Sequence, residues 1–307
     1  MTHTPKFYNP TRIGTLFHPD LPAIVAAAQA AGLPPADQDR RRIVLLIVDM
    51  QVDFCHAQGA LHVPGALRDL QRLIEFIHRR AADITGIICS LDSHHVFQIF
   101  HPVWWVDAGG AHPPPFTLIT PADVEAGRWQ PAIQPEWSRD YVRRLDRESK
   151  KQLTIWPYHV PIGGVGNALD PELWSTVFWH ALARRSRPHW LVKGSIPETE
   201  HYSIFRPEIE IDTHPQGRLN RELVAAVEAC DRLVVAGEAS SHCVLETLED
   251  LVEVFGSRPD RLARIRLLTD CTSPVPHPQI DFAGIAARRF REFEARGLQL
   301  ARSTDPL

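Results

Sequence analysis

Five short runs of mostly aliphatic residues are spaced along the chain. They are separated by longer stretches in which apolar positions recur every three or four residues. The runs cover residues 43–48, 84–90, 190–193, 233–237 and 265–269. Because these runs are apolar at consecutive rather than alternate positions, they are typical of parallel strands that are buried on both faces. We therefore predict a parallel sheet at the centre of the fold.

The stretches between the runs predict helices that cover this sheet. Residues 66–80 place five apolar side chains on one helical stripe, namely Leu67, Leu70, Leu73, Ile74 and Ile77. Residues 221–229 and 245–254 have similar patterns. Strands that alternate with helices predict an α/β fold with three layers, α/β/α. Ligands of such sheets bind beyond the carboxyl ends of the strands, so residues that directly follow a strand are candidates for chemistry.

Two parts of the chain do not follow this alternation. They are residues 1–42 and the segment 102–171, which is rich in Pro, Trp and Gly. The second is interrupted by Pro113-Pro114-Pro115, and residues 138–151 are its clearest predicted helix. Long ordered loops at the strand-end face commonly build a pocket or a lid. No repeat or linker divides the chain, so we predict one domain over residues 1–307, with an N-terminal extension and an enlarged loop region.

Composition and charge exclude several classes of function. The 307 residues are 44% hydrophobic and carry a net charge of −4, so neither nucleic acid nor another polyanion is an expected partner. No stretch approaches the roughly 20 apolar residues that span a bilayer, and no cationic and then apolar leader is present, which predicts a cytoplasmic protein. The five cysteines lack C-x-x-C spacing, so we expect reduced thiols.

Three residues at the ends of predicted strands supply the parts of a cysteine hydrolase. Cys243 lies where the run 233–237 gives way to a helix, and the unpaired N–H groups at a helix start favour a thiolate. Asp49 follows the first run, and Lys193 ends the third. Taken singly, such residues are more often a buried thiol, a turn cap and a solvated strand end. Together they provide a nucleophile, a proton acceptor and a cation that orients the acceptor.

Polar residues after the second run indicate a metal site. Asp92 and His94 have D-x-H spacing, which lets both side chains face one side of an extended segment. His159, in the sequence WPYH, would complete a set of one carboxylate and two imidazoles that leaves coordination positions open. The chain has 16 histidines, so chance pairs arise easily. The alternative ligands are His95, His101 and His112.

Five segments carry a resemblance to a known family. They are residues 47–54 (IVDMQVDF), 92–94 (DSH), 156–159 (WPYH), 192–194 (VKG) and 236–244 (AGEASSHCV). In this order they resemble the nicotinamidase/pyrazinamidase family within the isochorismatase-like cysteine hydrolases, over residues 43–275 with large gaps. The resemblance implies a six-stranded, mostly parallel, Rossmann-like sheet flanked by helices.

The resemblance also implies roles for individual residues. The implied catalytic residues are Asp49, Lys193 and Cys243. The implied metal ligands are Asp92, His94 and His159. Phe54 and Trp156 resemble the aromatic pair that sandwiches a flat amide, and Tyr202 lies in a segment that resembles the wall beside the active site. The cis peptide bond of the family would fall between Glu238 and Ala239.

This sequence departs from the family pattern at three positions. An apolar residue is usual where Glu238 stands, a histidine is frequent where Gln98 stands, and a cysteine is frequent where Val160 stands. The change at Val160 is chemically mild. The change at Glu238 is not, because a carboxylate near the oxyanion-binding loop repels developing negative charge unless it is turned away or paired.

The expected reaction is hydrolysis of a small, nicotinamide-like primary amide to an acid and ammonia. Cys243 would form a thioester, with the backbone N–H groups of Ala239 and Cys243 as the oxyanion hole. The resemblance implies a divalent metal, zinc before iron or manganese, that anchors the substrate or activates water. It also implies a homo-oligomer. The alternatives are a metal-free isochorismatase-like hydrolase or lyase and a binding protein without activity.

Overall fold

A parallel sheet covered by helices forms the centre of the computed structural model, which describes residues 4–148 and 151–307. The strands are β1 (Ile43–Val48), β2 (Gly86–Asp92), β3 (Trp105–Val106), β4 (Leu118–Ile119), β5 (Gln130–Pro131), β6 (Leu153–Thr154), β7 (His189–Lys193), β8 (Arg232–Gly237), β9 (Ile265–Leu268) and β10 (Gln299–Ala301). The helices are α1 (Leu21–Ala30), α2 (Val52–Cys55), α3 (Ala66–Arg80), α4 (Pro121–Glu125), α5 (Pro135–Arg147), α6 (Pro171–Arg184), α7 (Arg221–Glu228), α8 (Cys243–Phe255), α9 (Pro259–Leu262) and α10 (Phe282–Ala295).

Six strands build the main sheet in the order β10-β9-β8-β1-β2-β7, and every neighbouring pair is parallel. In β1, Leu46 lies opposite Ile88 of β2 and Val235 of β8. The chain builds the sheet outward in both directions from β1, which makes the carboxyl end of β1 the place where such folds bind ligands. The prediction of a three-layer fold with a six-stranded parallel sheet is confirmed.

The residues of β1 contribute alternately to two separate cores. Leu45 and Ile47 belong to a cluster with side chains of α3 and α6, whereas Leu46 and Val48 belong to one with side chains of α8 and α10. All four are fully buried. Because successive strand side chains point to opposite faces, a strand that is covered on both sides must be apolar throughout. This explains the uninterrupted apolar run in the sequence.

Several predicted boundaries differ from the observed ones. β1 and α3 span the predicted residues, but Leu67, predicted on the buried stripe of α3, is 37% exposed because it lies at the edge of that stripe beside Gly14. The predicted helix 138–151 is observed as α5, which begins earlier. The last part of that prediction, at residues 149–150, lies outside the described residues. The sixth strand, β10, has only three half-buried residues and therefore no apolar run.

The two irregular segments contain local structure that packs on this frame. Ile24 and Ala28 of α1 join Trp179 and Ala183 of α6 in a small apolar cluster. The segment 102–171 contains α4, α5 and the antiparallel pairs β3/β5 and β4/β6. In the described residues, no helix has the length and apolarity needed to cross a bilayer.

Candidate active site

β8 leads into a tight loop that ends at Cys243, the first residue of α8. The peptide bond between Glu238 and Ala239 is cis, as the resemblance implies. Gly237 has a φ of 127°, and a Cβ at this position would collide with the carbonyl oxygen of Val48. Glycine is therefore required where the loop leaves the sheet beside β1. The loop holds Cys243 in a buried position that is 7% exposed.

The three predicted catalytic side chains meet at this loop. Nζ of Lys193 lies 3.0 Å from Oδ2 of Asp49 and 3.6 Å from Sγ of Cys243, and it donates to the carbonyl of His201 at 2.9 Å. Asp49 has a φ of 47°, which is uncommon for a residue with a side chain, and its Oδ1 accepts a 2.6 Å hydrogen bond from the hydroxyl of Ser90. The structure thus brings Asp49, Lys193 and Cys243 together, and it adds Ser90, which the sequence analysis missed.

Burial and charge together decide the protonation of these groups. Burial raises the pKa of the Cys243 thiol, and the charge of Asp49 adds to this, while Lys193 opposes it. Burial also raises the pKa of Asp49 against the opposing effect of Lys193. Burial alone would lower the pKa of Lys193, but the facing carboxylates outweigh it and raise that pKa. The start of α8 therefore does not suffice to ionise Cys243, and the thiol needs a base at the position that Asp49 occupies.

A cluster of three buried histidines adjoins these residues. The ligand nitrogens of His94, His101 and His159 all lie within 4.8 Å of one another. Oδ2 of Asp92 lies 3.1 Å from Nε2 of His94, and Oδ1 of Asp92 lies 3.0 Å from Nζ of Lys193. Asp92 therefore connects the histidine cluster to Lys193.

The free nitrogens of the cluster suit a metal ion. Nδ1 of His159 donates to the carbonyl of Pro157 at 2.7 Å, and Nδ1 of His101 donates to the carbonyl of Val96 at 3.0 Å. Since these bonds keep the proton on Nδ1, each ring presents the lone pair of Nε2. Nε2 of His101 and Nδ1 of His94 are buried and have no hydrogen-bond partner among the described residues. A bound cation would satisfy such nitrogens.

Protonation of the cluster also suits a metal ion. Burial lowers the pKa of His101 to about 4 and that of His159 well below its usual range, so both imidazoles are neutral, as ligands must be. Burial alone would raise the pKa of Asp92, but the neighbouring His94 and Lys193 outweigh it and hold that pKa low. Three converging imidazoles, with the Asp92 carboxylate in contact with one of them, suit a divalent ion that binds nitrogen and oxygen, such as zinc.

His101 is the one member of this cluster that sequence analysis left among its alternatives. The other two alternatives lie outside the cluster: His95 is exposed, and Nδ1 of His112 bonds the carbonyl of Trp105 at 2.7 Å. Of the predicted ligands, His94 and His159 belong to this cluster, and Asp92 contacts it through His94. His101 lies in the same loop as His94, and this proximity in the sequence favours His101 over His112 as a ligand.

A cavity is lined by Cys243 and by two members of the histidine cluster, His94 and His159. Phe54, Leu61, Phe100, Trp156 and Val275 form its apolar wall, and polar side chains that include His201, Glu238 and His242 complete it. Tyr202 also lines it; its hydroxyl accepts a 3.0 Å hydrogen bond from Nε1 of Trp156 and donates at 2.6 Å to Glu200. Phe54, Trp156 and Tyr202, which the sequence predicts to bind substrate, thus share one cavity with the nucleophile.

The loop before Cys243 offers backbone donors to this cavity. The carbonyl of Ala239 accepts hydrogen bonds from the N–H groups of His242 and Val244 at 3.0 and 3.1 Å. None of the hydrogen bonds among the described residues uses the N–H groups of Ala239 or Cys243. Neither N–H group is thus engaged by a described residue, which is a requirement for the oxyanion hole that the sequence predicts. The carboxyl of Glu238 accepts the N–H of Ser273 at 3.1 Å through one of its two oxygens.

Gln51 is a positioning residue that sequence analysis missed. It is fully buried, and its side-chain amide donates to the carbonyl of Asp92 and accepts from the N–H of Asp92, both at 2.7 Å. This pair of bonds fixes the backbone that carries Asp92. Gln51 belongs to the segment 47–54 that carries the resemblance, but nothing in its local pattern shows that its side chain reaches β2.

Comparisons with known proteins place this geometry on a known fold. No family model matches the sequence, and no curated protein matches it. The structure of the yeast nicotinamidase Pnc1p bound to the inhibitor nicotinaldehyde is similar with a TM-score of 0.57 and 16% identity, covering 85% of this chain and 99% of that chain. An Acinetobacter baumanii nicotinamidase/pyrazinamidase is similar with a TM-score of 0.55 and 17% identity, covering 88% and 100%. PnC1 from L. infantum in complex with nicotinate has a TM-score of 0.51 and 20% identity, covering 87% and 95%.

These likenesses show the fold of the chain. Nearly the whole of each neighbour is covered, so this chain contains their α/β architecture together with additional residues. The isochorismatase-like α/β fold that the motifs imply is thus the observed one. At these identities the reaction has to be argued from the site itself.

Proposed function

We propose that this protein is a metal-assisted cysteine amidohydrolase that cleaves a small, nicotinamide-like primary amide to an acid and ammonia. The observation that carries the proposal is the position of Lys193, whose ammonium contacts Asp49, Cys243 and Asp92, the last two of which also line one cavity. A nucleophile, its base and a metal-ligand cluster within reach of one lysine suit acyl transfer. The nicotinamidase fold of the neighbours supports the same reaction class.

In the first half-reaction, Asp49 accepts the thiol proton of Cys243 while Lys193 holds the carboxylate in place. The sulfur attacks the amide carbonyl, and the N–H groups of Ala239 and Cys243 stabilise the oxyanion of the tetrahedral intermediate. When the intermediate collapses, the C–N bond breaks and Asp49 returns its proton to the leaving nitrogen. Ammonia departs, and the acyl group remains on Cys243 as a thioester.

In the second half-reaction, water attacks the thioester carbonyl. Asp49 accepts a proton from the water, a C–O bond forms and the C–S bond breaks. The same N–H groups stabilise the second oxyanion, and the proton held by Asp49 returns to the sulfur. The acid is released, and Cys243 is again a thiol.

The histidine cluster gives this site a second function. Asp92, His94, His101 and His159 would hold a divalent ion, for which zinc suits the donor set best. Such an ion supplies Lewis-acid chemistry, either as an anchor for a substrate heteroatom or by lowering the pKa of bound water. Gln51 fixes the backbone of Asp92, and the ammonium of Lys193 neutralises Oδ1 of the Asp92 carboxylate. The unpartnered imidazole nitrogens favour this reading over a metal-free hydrolase.

The cavity favours a flat substrate with few polar groups. Phe54 and Trp156 are almost completely buried and present aromatic surface to it. Flat rings gain from such contacts with aromatic side chains. A planar heteroaromatic amide, which offers one ring nitrogen and one carboxamide, fits this lining better than a long aliphatic or charged substrate.

A substrate panel tests the proposal. The protein loaded with zinc, iron or manganese is incubated with nicotinamide, pyrazinamide, benzamide and aliphatic amides, and ammonia and the matching acid are both quantified. We expect turnover of the heteroaromatic amides above the aliphatic ones. Release of neither ammonia nor acid from any amide by folded, metal-loaded protein would overturn the proposal.

A further inference from the structure

Glu238 departs from the family pattern, and its surroundings in this structure are unusual. The side chain is 1% exposed, and Oε2 accepts a 3.1 Å hydrogen bond from the backbone N–H of Ser273. Oε1 is buried and accepts no hydrogen bond from the described residues. Burying a carboxyl oxygen without a partner costs free energy, so a further interaction is required to explain its position.

That interaction comes from Asp69, a buried residue in the first turn of α3. The carboxyl groups of Glu238 and Asp69 lie side by side on Ser273, within hydrogen-bonding reach of each other. Oδ2 of Asp69 also accepts a 2.5 Å hydrogen bond from the hydroxyl of Ser273. Ser273 therefore contacts both acids, with its backbone N–H on Glu238 and its hydroxyl on Asp69.

Two carboxylates cannot form a hydrogen bond, because both are acceptors, so the buried Oε1 of Glu238 gains a partner in Asp69 only if one of the two acids holds a proton. Asp69 has the stronger support for a negative charge: Arg72 lies 3.7 Å away, and Ser273 donates a hydroxyl bond. Glu238 receives only a neutral backbone N–H. The proton therefore belongs on Glu238, and Asp69 accepts it.

The other titratable groups around the pair agree with this assignment. Burial raises the pKa of Asp69, but the hydrogen bond from Ser273 and the charges of Arg72 and Arg68 from α3 oppose this rise and favour its ionised form. From α2, the thiol of Cys55 faces Glu238 and is neutral, because burial raises its pKa. Burial raises the pKa of Glu238 as well, and the negative charge of Asp69 raises it further.

We infer that Glu238 is a positioning residue: as a neutral carboxylic acid that donates its proton to Asp69, it fixes the nucleophile loop against α3. The segment 273–275, which includes the Ser273 that contacts both acids, forms two more hydrogen bonds to the nucleophile loop. The N–H of Ser240 donates to the carbonyl of Ser273 at 2.9 Å, and the N–H of Val275 donates to the hydroxyl of Ser241 at 3.0 Å. Glu238 directly precedes Ala239, so the acid pair anchors the start of the oxyanion loop.

The inference rests on the proposed function only where it connects the loop to catalysis. A neutral Glu238 adds no negative charge beside the developing oxyanion, so it does not repel that charge as a carboxylate at this position would. When the pH rises far enough to remove the shared proton, the two carboxylates repel each other and the loop loses this anchor. We therefore expect kcat to fall on the alkaline side while KM changes less.

Stability gives a test that needs no turnover. A carboxyl whose pKa is raised on folding binds its proton more tightly in the native state, so its contribution to stability is present at low pH. That contribution is lost as the pH rises from about 4.3 to the native pKa. In Glu238→Gln, the amide donates to Asp69 and accepts from Ser273 but does not titrate. We expect the difference in Tm between this variant and the wild type to grow steadily in the variant's favour across that range.

Infrared spectroscopy reads the proton directly. The wild-type minus Glu238→Gln difference spectrum at neutral pH should contain the carbonyl band of a protonated carboxyl group. Glu75 is a partly exposed acid on α3, the helix that carries Asp69. It provides the control, because Glu75→Gln should not remove that band. Absence of the band from the Glu238 difference spectrum would overturn the inference whether or not any amide is hydrolysed.

Kinetics then separate positioning from simple packing. We expect Glu238→Gln to keep kcat within a few fold of wild type at neutral pH and to retain it at alkaline pH, where the wild type declines. Glu238→Ala should lower kcat at least tenfold with a smaller change in KM. An alkaline decline that is unchanged in Glu238→Gln would contradict the positioning role, even if the protonated band is present.

Discussion

The ammonium nitrogen of Lys193 lies 3.0 Å from Oδ1 of Asp92. It lies at the same distance from Asp49, so one buried cation faces both the proposed base and the carboxylate that contacts the histidine cluster. Strand pairing explains the geometry, because Lys193 of β7 lies directly opposite Asp92 of β2. The two parts of the site are therefore coupled through one side chain, and a change in either part is expected to affect the other.

Replacement of Lys193 tests this coupling. Lys193→Met leaves Asp49 and Asp92 buried without their shared cation, and breaking a buried ion pair in this way costs about 3–5 kcal/mol. We expect a large loss in the free energy of unfolding, weaker metal binding and a loss of kcat of at least about a hundredfold. Denaturant unfolding, metal analysis and amide hydrolysis measure the three effects.

A matched control for this prediction is Lys6→Met, which removes an exposed lysine. Surface substitutions of this kind usually change stability by less than about 0.5 kcal/mol. Lys193→Met could instead unfold at the wild-type denaturant midpoint and keep its metal content. That result would show that the position and charge of Asp92 do not depend on Lys193.

His101 provides the sharpest test of the metal site, because the sequence pattern alone did not select it. His101→Ala removes one of three imidazoles whose nitrogens lie within 4.8 Å of one another. We expect metal affinity to fall by more than about tenfold, as is usual even for residues that only support ligands. Competition with a chromophoric chelator measures the affinity, with the neighbouring exposed His95→Ala as the control. Equal affinities in the two variants would remove His101 from the site.

The protein should lose stability in acid through buried histidines far from the site. Burial lowers the pKa of His78 to about 3 and that of His180 to about 4. The unfolded chain therefore binds more protons than the native state below about pH 6.5, and stability is lost as the pH falls through this range.

The variant His78→Phe isolates one of these groups. The His78 ring packs edge-on against Trp179, with ring centroids 5.4 Å apart, so an aromatic replacement keeps the contact without a titrating nitrogen. We expect Tm to fall less steeply in this variant than in the wild type between about pH 6.5 and about pH 4. The exposed His18→Phe should follow the wild type. Parallel curves for His78→Phe and the wild type would contradict the assignment.

The sequence predicted the parts of this molecule that depend on local pattern. Strand runs and helical stripes depend on burial of consecutive or periodic residues, and they placed Asp49, Asp92, Lys193 and Cys243 at strand ends. Local pattern could not predict which residues contact each other when they are far apart in the sequence. Three contacts are of this kind: Ser90 with Asp49, Gln51 with Asp92, and Asp69 with Glu238. Their partners are set by strand register and packing.

The short edge strand β10 shows the same limit at the level of secondary structure. Its residues are half-buried and pair only with β9, so no apolar run indicates a strand. Leu67 is the opposite case, a predicted buried residue that is exposed. Helical periodicity assigns it to the buried stripe, although it lies at the margin of that stripe. Periodicity gives the direction of a side chain, whereas burial also depends on what packs beside it.

The central claim is that Cys243 carries the acyl group of an amide substrate. The most direct measurement is intact-protein mass spectrometry of rapidly quenched reactions with nicotinamide, comparing the wild type with Cys243→Ala. We expect a covalent adduct with the mass of the acyl group in the wild type, mapped to Cys243 by peptide digestion. We expect neither adduct nor ammonia release in the variant. Normal ammonia release by Cys243→Ala would contradict the role of Cys243 as acyl carrier.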